Sequence, residues 1–153
     1  MKNQDKIKAL QTLTELQIDR EAGYRKVAEE AAVADFDLKV MFQNMANDSM
    51  KSIEFLNAFL AQYGGERVEH ENSFLSEVHQ AWIDLKKAIS ARDRKALLGS
   101  CEFGENIIIG AYETILEDER LVDVEIRMLL NSQLDDIKKS LRIIEEAKEL
   151  EEA

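Results

Sequence analysis

Proline is missing from the 153-residue sequence, and glycine occurs only six times. A β-rich fold needs many Gly, Pro and Asn turns, so such a fold is excluded by what punctuation remains. Cysteine occurs once, at Cys101, which leaves no internal disulfide to make. Apolar runs are short, as in Ile107-Ile108-Ile109, far below the roughly 20 residues that cross a bilayer. Met1 to Leu10 lacks the apolar core of a signal peptide, so cytoplasm is the expected location. Positive charge is the minority: 20 Lys and Arg stand against 31 Asp and Glu, a net charge of -11. Phosphate backbones and anionic lipid surfaces are repelled, so neither nucleic acid nor membrane is an expected partner.

What is there is a chain of 45% hydrophobic and 33% charged residues, long enough for one domain over 1–153 and too short for two ordinary ones. From about Gln4 to Ala31, apolar groups recur with a 3.6-residue period at Ile7, Leu10, Leu13, Leu16, Tyr24 and Val27. A second helix should start at Asp35, whose carboxylate can cap it, and stop at Gly64-Gly65. The short link between the two predicts an antiparallel hairpin of helices about 42 Å long. Ser73 opens a third periodic segment with Leu75, Val78, Trp82, Leu85 and Ile89 on one side. Asp93 can cap a third long helix, and Glu117 to Arg120 turns into a last one from Leu121, with an acidic end expected to fray.

Four long amphipathic helices with a fifth element in the middle predict an all-α bundle. A middle segment of about 19 residues spans roughly 28 Å and suits a return along the bundle. That makes the second and third long helices parallel, as in a ferritin-like four-helix bundle with an additional crossover helix. An up-down-up-down bundle with an extra surface helix is the alternative.

Chemistry in such a bundle sits between the helices, so the informative residues are those that break an apolar stripe. Gln17 and Glu21 lie in line with Leu10, Thr14, Tyr24 and Ala28. Glu105 falls between Cys101 and Ile109, with Glu102 one turn back, and Gln133 falls between Leu130 and Ile137. Glu21, Asp48, Glu102 and Glu105 come within about 6 Å of one layer if the middle helices are parallel. Carboxylates meeting there could hold a divalent cation. The Glu-x-x-His motif of a di-iron site is missing, and the four long helices contain no histidine. Each residue also has a plainer reading. Glu102 and Glu105 could pair with Lys or Arg, Glu21 could be a boundary residue, and Asp48 could be solvated. Gln133 could be a buried amide bonded to a carboxylate. His79 reads as a packed ring and His70 as a solvated one; Cys101 reads as a small core residue, and the methionines as gap fillers.

The chain resembles the ferritin-like bundles grouped as domain of unknown function 2383. The resemblance is carried by Gly23-Tyr24 with Ala28-Glu29, Gly64-Gly65, His79-x-x-Trp82 with Asp84-Leu85, and Arg92-Asp93. Cys101-Glu102-x-Gly104-Glu105 with Tyr112, and Gln133, complete it. It implies a bundle of ferritin-like topology, with Glu102, Glu105 and His79 as matching residues able to bind something. Asn106 stands where the family often has an acid and Ser140 where a histidine is common.

Together these features suggest a polar layer centred on Glu102 and Glu105, with Glu21, that could hold Fe or Mn without any asserted catalysis. The rival reading is a metal-free structural or stress-associated interaction bundle whose helix faces support self-association, making a homo-oligomer an expected state. A ferritin-type storage cage is a third possibility.

Overall fold

The computed structural model describes residues 2–31, 35–69 and 76–152, with side chains for 3–31, 35–69 and 83–152. Five helices follow one another: α1 (Lys2–Glu30), α2 (Phe36–Gln62), α3 (Ser76–Ala91), α4 (Arg94–Glu117) and α5 (Val124–Glu152). No strand occurs among the described residues. The fold is all-α, as the apolar spacing predicts.

Local chemistry accounts for the ends. At the foot of α2, Gly64 takes φ +83, a left-handed conformation natural to glycine. There the Gly65 N–H bonds the Leu60 carbonyl at 2.8 Å and the Gly64 N–H bonds that of Ala61, the Schellman closure of a helix. The same closure ends α3, with the Asp93 N–H on the Ala88 carbonyl, but Arg92 occupies the left-handed place at φ +54. Asp93 caps α4 as expected, accepting from the Ala96 N–H at 3.0 Å.

Two expectations about helix ends are corrected. Asp35 precedes α2 but makes no side-chain cap; its carboxylate goes to Arg94 instead. The last helix starts at Val124 rather than Leu121, because Asp123 accepts from the Ile126 N–H and caps it. Its acidic end stays helical to Glu152, with Glu151 bound by Arg94 at 2.6 Å and Glu152 facing Lys95 at 3.8 Å.

Polar contacts fix the direction of each helix. At one end, Lys6, Tyr63 and Asp123 meet; at the other, Arg94 gathers Asp35, Asp37 and Glu151. Hence α2 and α4 run the same way, while α1 and α5 run against them. α1 packs on α2 and α4 on α5, and α3 lies mainly on α4. After α2 the chain turns back beside it: buried Asn57 exchanges two hydrogen bonds with the backbone of Val68.

The core falls into two apolar clusters. One gathers Leu13, Leu56, Leu60, Ile126 and Leu130 towards the Tyr63 end. The other gathers Tyr24, Phe42, Leu85, Leu98 and Ile144 towards the Arg94 end. Between them lie buried polar residues: Gln17, Arg20, Ser49, Glu105 and Gln133.

Candidate functional site: a buried polar layer

Arg20 and Glu105 lie at the middle of this layer, 6% and 1% exposed. Each sits on the inner stripe of its helix. Arg20 follows Leu13 by seven residues and precedes Tyr24 by four; Glu105 follows Cys101 by four and precedes Ile109 by four. The guanidinium grips the carboxylate with two parallel bonds, Nε to Oε1 at 2.7 Å and Nη2 to Oε2 at 2.9 Å. Its Nη1 donates to Ser49 Oγ at 2.7 Å and to the Met45 carbonyl at 3.3 Å. Tyr24, stacked on Phe42, places its ring 5.2 Å from the Arg20 guanidinium.

This fork-on-fork pairing is the strongest geometry available to two opposite side chains in a dry interior. Burial opposes the Arg20 charge, yet the Glu105 charge and hydrogen bonds outweigh it, and the guanidinium pKa rises above its ordinary value. Burial, aided by the Glu105 charge, pushes the Tyr24 hydroxyl and the Cys101 thiol up. Both are thereby kept in the neutral form near neutral pH.

A second polar set lies one to two turns away. Tyr112, fully buried, accepts from Gln17 Nε2 at 2.8 Å and donates to Gln133 Oε1 at 2.7 Å. Gln133 Nε2 donates in turn to the Ser52 carbonyl at 3.3 Å. Gln133 is thus the buried amide that its spacing predicts, but its partner is a phenol rather than a carboxylate. Tyr112 likewise bonds amides and not Glu102 or Glu105.

The three carboxylates singled out as metal ligands do not come together. Glu105 is taken by Arg20. Glu102 is half-buried and bound to Lys148 Nζ at 3.1 Å on α5. Glu21 lies outside the layer, paired with Arg25 on its own helix at 3.0 Å. Asp48 is exposed. Among the described residues no group of three His, Cys, Asp or Glu side chains is arranged to hold a metal ion. A donor set whose most buried member already has both oxygens on a cation does not suit iron or manganese.

The chain matches the family model for domain of unknown function DUF2383 over residues 5–118. It belongs to the DUF2383 family. The matched stretch runs from α1 to the residue after α4, so both halves of the Arg20–Glu105 pair lie within the DUF2383 region, while Gln133 and Lys148 on α5 lie beyond it. Among curated proteins, none matches the chain. Of the residues carrying the DUF2383 resemblance, Tyr24, Cys101, Glu105 and Tyr112 line or border the buried layer. Asn106 is exposed, its amide on the Glu102 carbonyl, and Ser140 is buried on α5. His70 and the side chains of His79 and Trp82 lie outside the described residues.

Beside the ion pair, α1, α3 and α4 leave a cavity of about 70 Å³ that Asp19, Leu85, Cys101 and Ile108 help to line. Asp19, 4% exposed, is a second buried acid that the apolar stripe does not reveal, and Ser49 and Asn57 are equally unannounced. Arg20 is the decisive omission. It obeys the spacing that picks out Gln17, and only the expectation that guanidinium groups face water hides it.

Proposed function

We propose that the protein is a metal-free helical interaction bundle, with an internal ion pair filling the layer that its sequence offers to a metal. We read its connectivity as ferritin-like: α2 and α4 are parallel and α3 stands between them in the chain. The observation that carries the reading is the two-point grip of Arg20 on Glu105 in the buried layer. Arg20 supplies the positive charge that a buried carboxylate requires, and Ser49 and the Met45 carbonyl take up its other donors. The pair is then charge-balanced, hydrogen-bonded and anchored to three helices, which favours one alignment of α1, α2 and α4. Work is left to the outer helix faces. The protein's charge of -11 turns those faces away from nucleic acid and anionic membranes and towards protein partners. No helix among the described residues is long and apolar enough to cross a membrane.

The competing reading, Fe or Mn held by Glu21, Glu102 and Glu105, requires Arg20, Lys148 and Arg25 to release their carboxylates. Metal analysis of protein purified without added metal separates the two. The ion-pair reading expects far less than one iron or manganese per chain and a melting curve unmoved by a chelator or by either ion. Stoichiometric metal that disappears in Glu102→Ala and Glu105→Ala variants overturns it.

A further inference from the structure

We propose that the cavity between α1, α3 and α4, beside the ion pair, binds one small neutral molecule that carries an acceptor oxygen on an apolar body. A ketone, aldehyde or alcohol of about three or four heavy atoms fits that description. The inference concerns the interior and is independent of what the outer helix faces do.

Size sets the first limit. The cavity has a volume of about 70 Å³. One of about 150 Å³ accepts benzene, so this one accepts roughly half as many atoms. Leu16 on α1, Leu85 on α3 and Ile108 on α4 give it apolar walls. It also has a way in. Ser100, Gly104 and Ile107 line its α4 side and are only partly buried, and nothing lies within 4 Å of the place that a Cβ on Gly104 would take.

Charge sets the second limit. A cation finds no carboxylate to bind, because both Glu105 oxygens are on Arg20 and Asp19 is engaged as well. An anion would stand beside those same two buried acids, facing one guanidinium that Glu105 already neutralises. What remains is a hydrogen-bond donor. A guanidinium carries five N–H groups. Arg20 spends four of them: two on Glu105, one on Ser49 and one on the Met45 carbonyl. The second N–H of Nη2 has no acceptor among the described residues. A carbonyl or hydroxyl oxygen satisfies that donor and adds no charge to the layer.

Acetone, acetate and acetamidinium share one planar shape and differ in charge, so titrating each into the full chain, followed by NMR, tests the site. Acetone should move the methyl signals of Leu16, Leu85 and Ile108 and the side-chain N–H signals of Arg20 along one saturating curve, with Kd on the order of millimolar. Acetate and acetamidinium should bind at least about tenfold more weakly. Cys101 lines the cavity, so Cys101→Met should fill it and weaken acetone binding at least about tenfold with melting unchanged. Cys101→Val serves the same purpose if the longer side chain disturbs folding. Shifts that grow with acetone without saturating mark a solvent effect and overturn the site. Equal binding of acetate, or an acetone curve unchanged in the filled variants, overturns it too. Xenon bound where acetone is refused reveals an apolar void, which overturns the role given to Arg20.

Discussion

Arg20 on α1 and Glu105 on α4 meet through two bonds of 2.7 and 2.9 Å between two apolar clusters. Such a pair adds little net stability over an apolar one of equal volume, since desolvation consumes most of the attraction. It penalises misalignment instead: sliding either helix by a turn leaves two charges stranded in the core. The following expectations come from this layer and from the polar contacts at the two ends of the bundle.

Tyr112 joins two buried amides, so its hydroxyl cannot be removed cheaply. Tyr112→Phe leaves the Gln17 donor and the Gln133 acceptor without their partner. A loss of about 1–3 kcal/mol in chemical denaturation is expected; an unchanged midpoint would show that the amides find other partners.

Tyr63 and Asp123 tie the end of α2 to the start of α5. Burial and the Asp123 carboxylate push the Tyr63 hydroxyl up to about 12. Burial acts to raise Asp123, but the Ile126 N–H, Tyr63 and Lys6 together hold it below its ordinary value. An acid held low contributes stability that is complete above its unfolded pKa of about 3.9 and is lost as pH falls through the folded value. A phenol held high contributes stability that is complete below about 10 and is lost as pH rises through the folded value. The melting advantage of the native chain over Tyr63→Phe should therefore be level from about pH 6 to about pH 10 and shrink towards pH 12. A constant difference across that range would contradict the assignment.

Arg92 holds a left-handed conformation that glycine adopts without strain. Arg92→Gly should stabilise the protein by about 0.5–1 kcal/mol, measured by denaturation, since the closure of α3 is kept and the strain removed. Destabilisation would mean that the Arg92 side chain contributes more than its backbone costs.

Arg94 binds Asp35, Asp37 and Glu151, and so ties the starts of α2 and α4 to the end of α5. Arg94→Ala should lower the cost of opening the last turns of α5 by about 1 kcal/mol while leaving global stability nearly unchanged. Hydrogen exchange reads this directly: faster exchange confined to the final residues of α5 is expected, and uniform acceleration along the helix would contradict it.

The architecture was legible because apolar stripes dictate helices. Gly64-Gly65 and Asp93 marked their ends with chemistry that the structure uses as written. Asp35 misled because a capping residue has the same identity whether it bonds backbone or, as here, a distant guanidinium. In the layer, Glu105, Gln17 and Gln133 were legible as polar residues on apolar spacing. Glu21 was not where spacing placed it. One residue is a 100° turn of the helix, and the inward position belongs to Arg20. Arg20 and Glu105 are 85 residues apart, and no local pattern announces that they meet. Pairing of Glu102 and Glu105 with Lys or Arg was one of the readings the residues allowed; that the partners are Lys148 and Arg20 was not legible, because each lies on another helix far along the chain.

The most direct test is a double-mutant cycle on that pair by chemical denaturation. Arg20→Met and Glu105→Leu should each cost about 3–5 kcal/mol, because each strands the opposite charge. The combined variant should lose far less than their sum, with strong coupling between the two sites. Additive losses, or a neutral Arg20→Met, would contradict the claim that the buried carboxylate is held by Arg20.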